Sequence, residues 1–173
     1  DLVVIGIGVV PNTGLAAEAG LEVNDGIVVN EKCQTSDPDV YAVGDCTYHP
    51  NALLGRHVRL ESVHNALEQA KTAAANVCGE DQRYTQVPWF WSDQYDLKLQ
   101  IAGLSKDYDR TIVRGDPSTR SFSCAYLQDG VLIAVDAINR PKDFMQSKRL
   151  IASQAMIDPD VLSDSTRELK DMM

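Results

Sequence analysis

No Cys-x-x-Cys pair occurs in this chain of 173 residues. The four cysteines, Cys33, Cys46, Cys78 and Cys124, stand 13, 32 and 46 positions apart, and none lies at zinc-finger spacing from a histidine. That excludes a Cys/His zinc site and a closely spaced redox-active dithiol. Four cysteines over this length are also too few for a disulfide scaffold, and no signal-peptide pattern is present, so they read as reduced, mostly buried thiols of a cytoplasmic protein. Long apolar runs are lacking as well; none approaches the roughly 20 residues of a spanning helix, which excludes a helical membrane protein. A basic surplus is missing: 25 acidic residues face 16 basic ones, for a net charge of −9, which argues against a general nucleic-acid binder. Repeats and low-complexity segments are absent, and 44% hydrophobic with 24% charged residues is an ordinary globular composition. The length suits one domain or two small ones.

What is present starts with an apolar run, Leu2-Val-Val-Ile5, followed by Gly6 and Gly8. It reads as a buried strand entering a tight turn, and, opening the chain without Met, as the cut edge of a sheet. A short helical piece follows around Leu15 to Ala19, then strands at Gly26–Asn30 and Val40–Val43 and an irregular polar stretch over 46–60. The clearest helix spans 62–78. Its apolar residues Val63, Ala66, Leu67, Ala70, Ala74, Val77 and Cys78 share one face, with Ser62 as N-cap and Gly79 as stop. Residues 79–83 read as a linker, with a domain boundary near 82–87. Beyond it, strands are predicted at Pro88–Ser92, Leu97–Ala102 and Tyr108–Val113. Then comes a hairpin, Phe122–Leu127 and Val131–Ala137, turned at Asp129-Gly130. A helix begins at Pro141, with Phe144, Ser147, Leu150, Ile151 and Ala155 on one face, and a short last helix follows Asp158-Pro159. The fold class is therefore a partial α/β doubly wound unit followed by an α+β unit with an antiparallel sheet.

The most specific signal is Thr35-Ser-Asp-Pro-Asp-Val-Tyr-Ala-Val-Gly-Asp45. A polar turn feeds a short strand that ends in Gly-Asp, which puts a carboxylate at the carboxyl end of a strand, where open α/β sheets bind ligands. Gly44 removes a side chain from the path of a close-approaching cofactor, and Asp45 can accept hydrogen bonds from hydroxyls. The spacing T-x6-A-x-G-D resembles the second flavin fingerprint of flavoprotein reductases with two dinucleotide domains.

The resemblance extends over nearly the whole chain and narrows to the NADH-dependent ferredoxin reductases of bacterial P450 and ring-hydroxylating dioxygenase systems. It is carried by Val4 to Asn12, Glu61-Ser62-Val63 with Asn65 to Ala70, Pro88 to Tyr95, Ala102 to Leu104, Val113 to Gly115 and Asn139 to Pro141. The resemblance implies FAD and NAD as cofactors and a [2Fe-2S] ferredoxin as partner. Thr35, Gly44 and Asp45 would belong to the flavin fingerprint, Asp45 binding a ribityl hydroxyl. Ser62 and Val63, at a helix N-terminus, would stabilise negative charge on the flavin's pyrimidine edge. Glu61 would lie near the nicotinamide, and Trp91 close to the flavin where an electron leaves. Trp89 reads as a core aromatic, on the same sheet face as Trp91 and opposite Phe90. Lys71, Lys148 and Arg149 would meet the acidic ferredoxin. His49, His57 and His64 show no metal spacing, so no metal site is expected.

Both G-x-G-x-x-G dinucleotide fingerprints of that family are missing; Gly6 and Gly8 stand alone, with Pro11 where the third glycine belongs. The expected layout is the tail of an NAD domain over 1–24, the closing segment of an FAD domain over 25–82 and a reductase C-terminal domain over 85–173. The N-terminal half of the same protein would be its structural partner, and this piece alone would be inactive. Two alternatives stay open: a folded module that binds ferredoxin or a second protomer, and a relative of the rubredoxin reductases or of apoptosis-inducing factor.

Overall fold

A computed structural model describes residues 1–172, and the chain divides into two units, Asp1–Thr85 and a second from Gln86 onward. In the first, residues 1–10 are extended without regular structure. Leu2, Val3, Val4, Ile5, Ile7, Val9 and Val10 are 65–91% exposed. The strand expected at 2–5 does not form, because an apolar run becomes a strand only when another strand takes its hydrogen bonds, and none of the described residues does.

A short helix α1, Gly14–Glu18, precedes strand β1, Ile27–Val28. β1 pairs in parallel with β2, Thr47–Asn51, and β2 pairs antiparallel with β3, Arg56–Val58. The stretch 46–60, expected to be irregular, is thus largely a hairpin. Its signal was hidden because the residues β2 alternates inward are polar: Thr47, His49 and Asn51 are all buried. The strand expected at 40–43 shrinks to one bridge between Gln34 and Tyr41.

Helix α2, Val63–Val77, starts where Ser62 Oγ accepts the Asn65 backbone N–H at 3.1 Å, and Gly79 follows it at φ +89°. Its orientation overturns the expected apolar face. The buried residues are Asn65, Gln69, Thr72 and Ala73, while Val63, Leu67 and Val77 are 55–67% exposed. Amphipathicity identifies two faces, but hydrogen bonds that only Asn65 and Gln69 can make decide which one packs. Residues 79–85 are tied down by Asn76 Nδ2 donating to the Gln82 carbonyl at 2.7 Å and by the ion pairs Lys32–Asp81 and Arg83–Glu31.

The second unit follows the sequence pattern closely. Strands β4 (Trp89–Gln94), β5 (Leu97–Gly103), β6 (Arg110–Asp116), β7 (Ser121–Gln128) and β8 (Val131–Ile138) form one antiparallel sheet in the order β4-β5-β8-β7-β6. Gly103 closes β5 at φ +77°, where a Cβ would stand 2.0 Å from the Ile133 carbonyl oxygen, so no side chain fits. Helix α3, Pro141–Ala152, packs on β5 and β8 through Phe144, Ser147, Leu150 and Ile151, and the short α4, Pro159–Ser163, packs on β6. Together with Ala102, Leu127, Leu132 and Val135 they make an apolar core. Arg114 crosses it: its Nε donates to Asp143 at 3.2 Å, and its terminal nitrogens reach the carbonyls of Leu162, Asp164 and Arg167. All four cysteines are free thiols; only Cys33 is fully buried, and Cys78 is exposed, contrary to the expectation of mostly buried thiols. Among the described residues no helix is long and apolar enough to cross a membrane.

Candidate functional site

Thr35 opens the motif by closing its turn. Its hydroxyl donates to the Asp37 and Val40 carbonyls, both at 3.0 Å, and its backbone N–H bonds the Val40 carbonyl at 2.9 Å. Three residues past Tyr41 the chain reaches Gly44, buried, at φ +85°, a conformation that favours glycine. A Cβ there would sit 3.5 Å from that of Ala66, in the first turn of α2. The Gly44–Asp45 corner therefore lies directly against the start of that helix.

A buried glutamine holds this contact. Gln69 Oε1 accepts the Gly44 backbone N–H at 2.7 Å, the Thr47 hydroxyl at 3.0 Å and Asn65 Nδ2 at 3.3 Å. One turn earlier, Asn65 Nδ2 also donates to the Leu60 carbonyl, and its Oδ1 accepts the Tyr84 hydroxyl at 2.9 Å. The two amides thus fasten the corner, the hairpin and the chain entering α2 to one another. Burial pushes the Tyr84 hydroxyl well above its ordinary pKa and the Cys33 thiol up to about 11, which keeps both neutral inside this layer. In the same unit His49 is 1% exposed, and neither of its ring nitrogens has a hydrogen-bond partner among the described residues.

Around this clamp the expected residues divide. Asp45 is exposed, and its carboxylate has no hydrogen bond or ion pair among the described residues. Ser62 spends its hydroxyl on the cap, while Val63, at the first helical position, is 55% exposed. First-turn N–H groups have no intrahelical acceptor and carry partial positive charge. An exposed carboxylate and a helix N-terminus therefore stand on neighbouring elements, able to accept hydroxyl hydrogen bonds and to face negative charge. Glu61, just before the helix, pairs with Arg59, which also reaches Asp25 at 3.3 Å. Lys71 pairs with Glu68 at 2.5 Å on the same helix. Asn65 and Gln69 were not singled out from the sequence. The available signal was two amides at i and i+4, one turn apart on the helix face opposite the apolar stripe.

In the second unit, the β4–β5 register sets Trp89 opposite Ala102 and Trp91 opposite Gln100, with Phe90 on the other face as expected. Trp91 is 47% exposed. Lys148 lies over the Trp89 ring at 5.4 Å, and Arg149 beside it is exposed with no side-chain partner among the described residues. No group of three or more potential metal ligands occurs among the described residues.

Residues 1–70 match the model of the pyridine nucleotide-disulphide oxidoreductase family, and residues 89–173 match that of the reductase C-terminal family. Putidaredoxin reductase of Pseudomonas putida is 50% identical over 173 residues, all of this chain and 41% of that protein. The ferredoxin reductase subunit of the 5,5'-dehydrodivanillate O-demethylase of a Sphingobium strain is 49% identical, over 99% of this chain and 42% of its own length. The chain superimposes with a TM-score of 0.91 on a solved covalent putidaredoxin reductase–putidaredoxin complex, at 50% identity over 96% of this chain and 40% of that one. It spans about two fifths of the length of the curated relatives it matches.

Proposed function

We propose, from the premise that the chain belongs by residues 1–70 to the pyridine nucleotide-disulphide oxidoreductases and by residues 89–173 to the reductase C-terminal family, that its whole protein is an FAD-dependent NADH:ferredoxin reductase. Its electrons would go to a [2Fe-2S] ferredoxin serving a P450 or ring-hydroxylating oxygenase, in the cytoplasm, where four free thiols stay reduced. The observation that carries this is the Gly44–Asp45 corner held against the start of α2 by Gln69, beside an unpaired carboxylate.

The donor set fits a flavin. Asp45 would accept hydrogen bonds from the sugar-alcohol chain, Gly44 leaves room beside it, and the Val63 N–H at the helix N-terminus would face the pyrimidine edge. The chemistry supplied by bound FAD would be the splitting of a hydride from NADH into two single electrons, one for each of two ferredoxin molecules, with a proton released. Thr35 shapes the turn that delivers Asp45, and Ser62 keeps the helix end rigid. Glu61, fixed by Arg59, would face the nicotinamide, and Trp91 would mark the electron exit. Lys71, Lys148 and Arg149 would attract an acidic ferredoxin. The second unit suits that encounter better than the first: residues 86–173 carry 13 acidic and 11 basic residues, residues 1–85 carry 12 and five.

The test is purification of the 173-residue chain and of the complete reductase. The chain alone, without the glycine-rich phosphate turns, should show no flavin absorbance and no NADH–ferricyanide turnover; the complete protein should reduce the ferredoxin. Asp45→Ala in the complete protein should weaken flavin retention by about tenfold, the worth of one good charge-assisted hydrogen bond. Failure of the complete protein to reduce the ferredoxin, or undiminished flavin binding in D45A, would overturn the proposal; turnover by the 173 residues alone would overturn only the expectation that this piece is inactive.

A further inference from the structure

The two tryptophans of the chain form part of one aromatic series. Trp89 and Trp91 are the only tryptophans present. They alternate on β4, and their rings stand 5.3 Å apart, tilted by 35°. Trp89 also meets Phe144 of α3 edge-on, 5.5 Å away at 62°. Phe144 is 3% exposed and Trp91 47%, so the series runs from the core of the second unit to its surface with Trp89 as the connecting ring. Lys148 follows Phe144 by one helical turn, and its Nζ lies 5.4 Å from the Trp89 centroid and 5.6 Å from that of Phe144.

We infer that Trp89 is a positioning residue that holds the indole of Trp91 and the ammonium of Lys148 in a fixed mutual arrangement and offers them as a pair to an acidic protein partner. The inference rests on the reductase reading above. Two physical effects support it. An indole exposed at a sheet edge keeps its plane when a second ring covers one face, since offset aromatic pairs are attractive beyond the area they bury. A lysine normally loses much rotamer freedom when a partner immobilises it. A cation already drawn to two aromatic rings has given up part of that freedom in the free protein. Trp89 touches both groups, so its removal should release them together. Neither Trp91 nor Lys148 would be lost by that change, only their arrangement.

Two variants separate position from fold. Trp89→Phe keeps a ring under Lys148 and beside Trp91, whereas Trp89→Leu keeps only bulk, and in each Trp91 is the sole tryptophan. In the 173-residue chain, W89L should raise acrylamide quenching of Trp91 and reductive methylation of Lys148, read by mass spectrometry, by about two- to threefold relative to W89F. Equal quenching and equal methylation in the two variants would overturn the inference. In the complete reductase, W89L should raise KM for an acidic [2Fe-2S] ferredoxin by about threefold, with a smaller change in kcat, and Lys148→Met should then add little to W89L. Fully additive effects of W89L and K148M would also overturn it. A complete wild-type reductase that fails to reduce ferredoxin would overturn the functional reading instead, while the quenching and methylation results decide the positioning role by themselves.

Discussion

The two units solve the same folding problem with different materials. The second closes on itself: five antiparallel strands find all their partners within 50 residues, and α3 covers one face with apolar side chains. The first has strands of two to five residues, a run of exposed aliphatic side chains at its start, and a main helix that turns its polar face inward. Among the described residues, six of the ten buried polar side chains belong to the first unit: Thr47, His49, Asn51, Asn65, Gln69 and Thr72. An antiparallel meander needs only its own neighbours, whereas a parallel strand such as β1 needs partners from distant sequence. The first unit is therefore held in shape by specific hydrogen bonds, the second by area buried around one carboxylate, Asp143, that pairs with Arg114 and Arg140.

The largest effect that would test this contrast is in the second unit. Arg114→Ala leaves Asp143 buried with Ser123 and Arg140 as its remaining side-chain partners among the described residues and frees three carbonyls of the C-terminal segment. A loss of about 3–5 kcal/mol in chemical unfolding is expected. A loss below about 1 kcal/mol would show that apolar area alone sustains this unit.

Acid should act on the other unit. Burial, with the neighbouring His57 adding to it, lowers the His49 pKa from 6.5 to about 4. The unfolded chain then binds the proton more readily than the folded one between those values. Stability is complete above about pH 6.5 and is lost as pH falls toward about 4, by up to about 3 kcal/mol. His49→Phe should flatten that slope in a urea series across this window; an unchanged slope would assign the acid sensitivity elsewhere. The smallest effect concerns the helix cap. Ser62→Ala removes the acceptor for the Asn65 N–H and should cost about 1 kcal/mol. Rescue by Ser62→Thr, followed by helicity and unfolding midpoint, would identify the cap as the cause.

The same contrast governs how much could be read in advance. Asp129-Gly130 with alternating strands on either side located the β7–β8 hairpin, and the strands expected from Pro88, Leu97 and Tyr108 onward formed within a few residues of their predicted ends. In the first unit the buried strand at 2–5, the strand at 40–43 and the apolar face of α2 were each expected and not found. The hairpin of β2 and β3 formed where none was expected. Hydrophobic periodicity located α2 but could not show which side is covered, because the covered side carries Asn65 and Gln69; it missed the hairpin because the inward residues of β2 are Thr47, His49 and Asn51.

By itself the sequence determined the local chemistry: Ser62 as a cap, Gly44 and Asp45 at the end of a turn begun by Thr35, the alternation that sets both tryptophans on one face, and a resemblance strong enough to name a family. These depend on neighbours within a few residues, whose geometry the backbone dictates. Only the tertiary structure decided that α2 packs by its amides, that Gln69 holds the Gly44 corner, that Lys148 lies over Trp89 and that Arg114 crosses to the last turns of the chain. The last three of these contacts join residues 25 to 59 positions apart. Which of them form depends on buried polar groups having no other partner, a condition that exists only after the chain has closed around them.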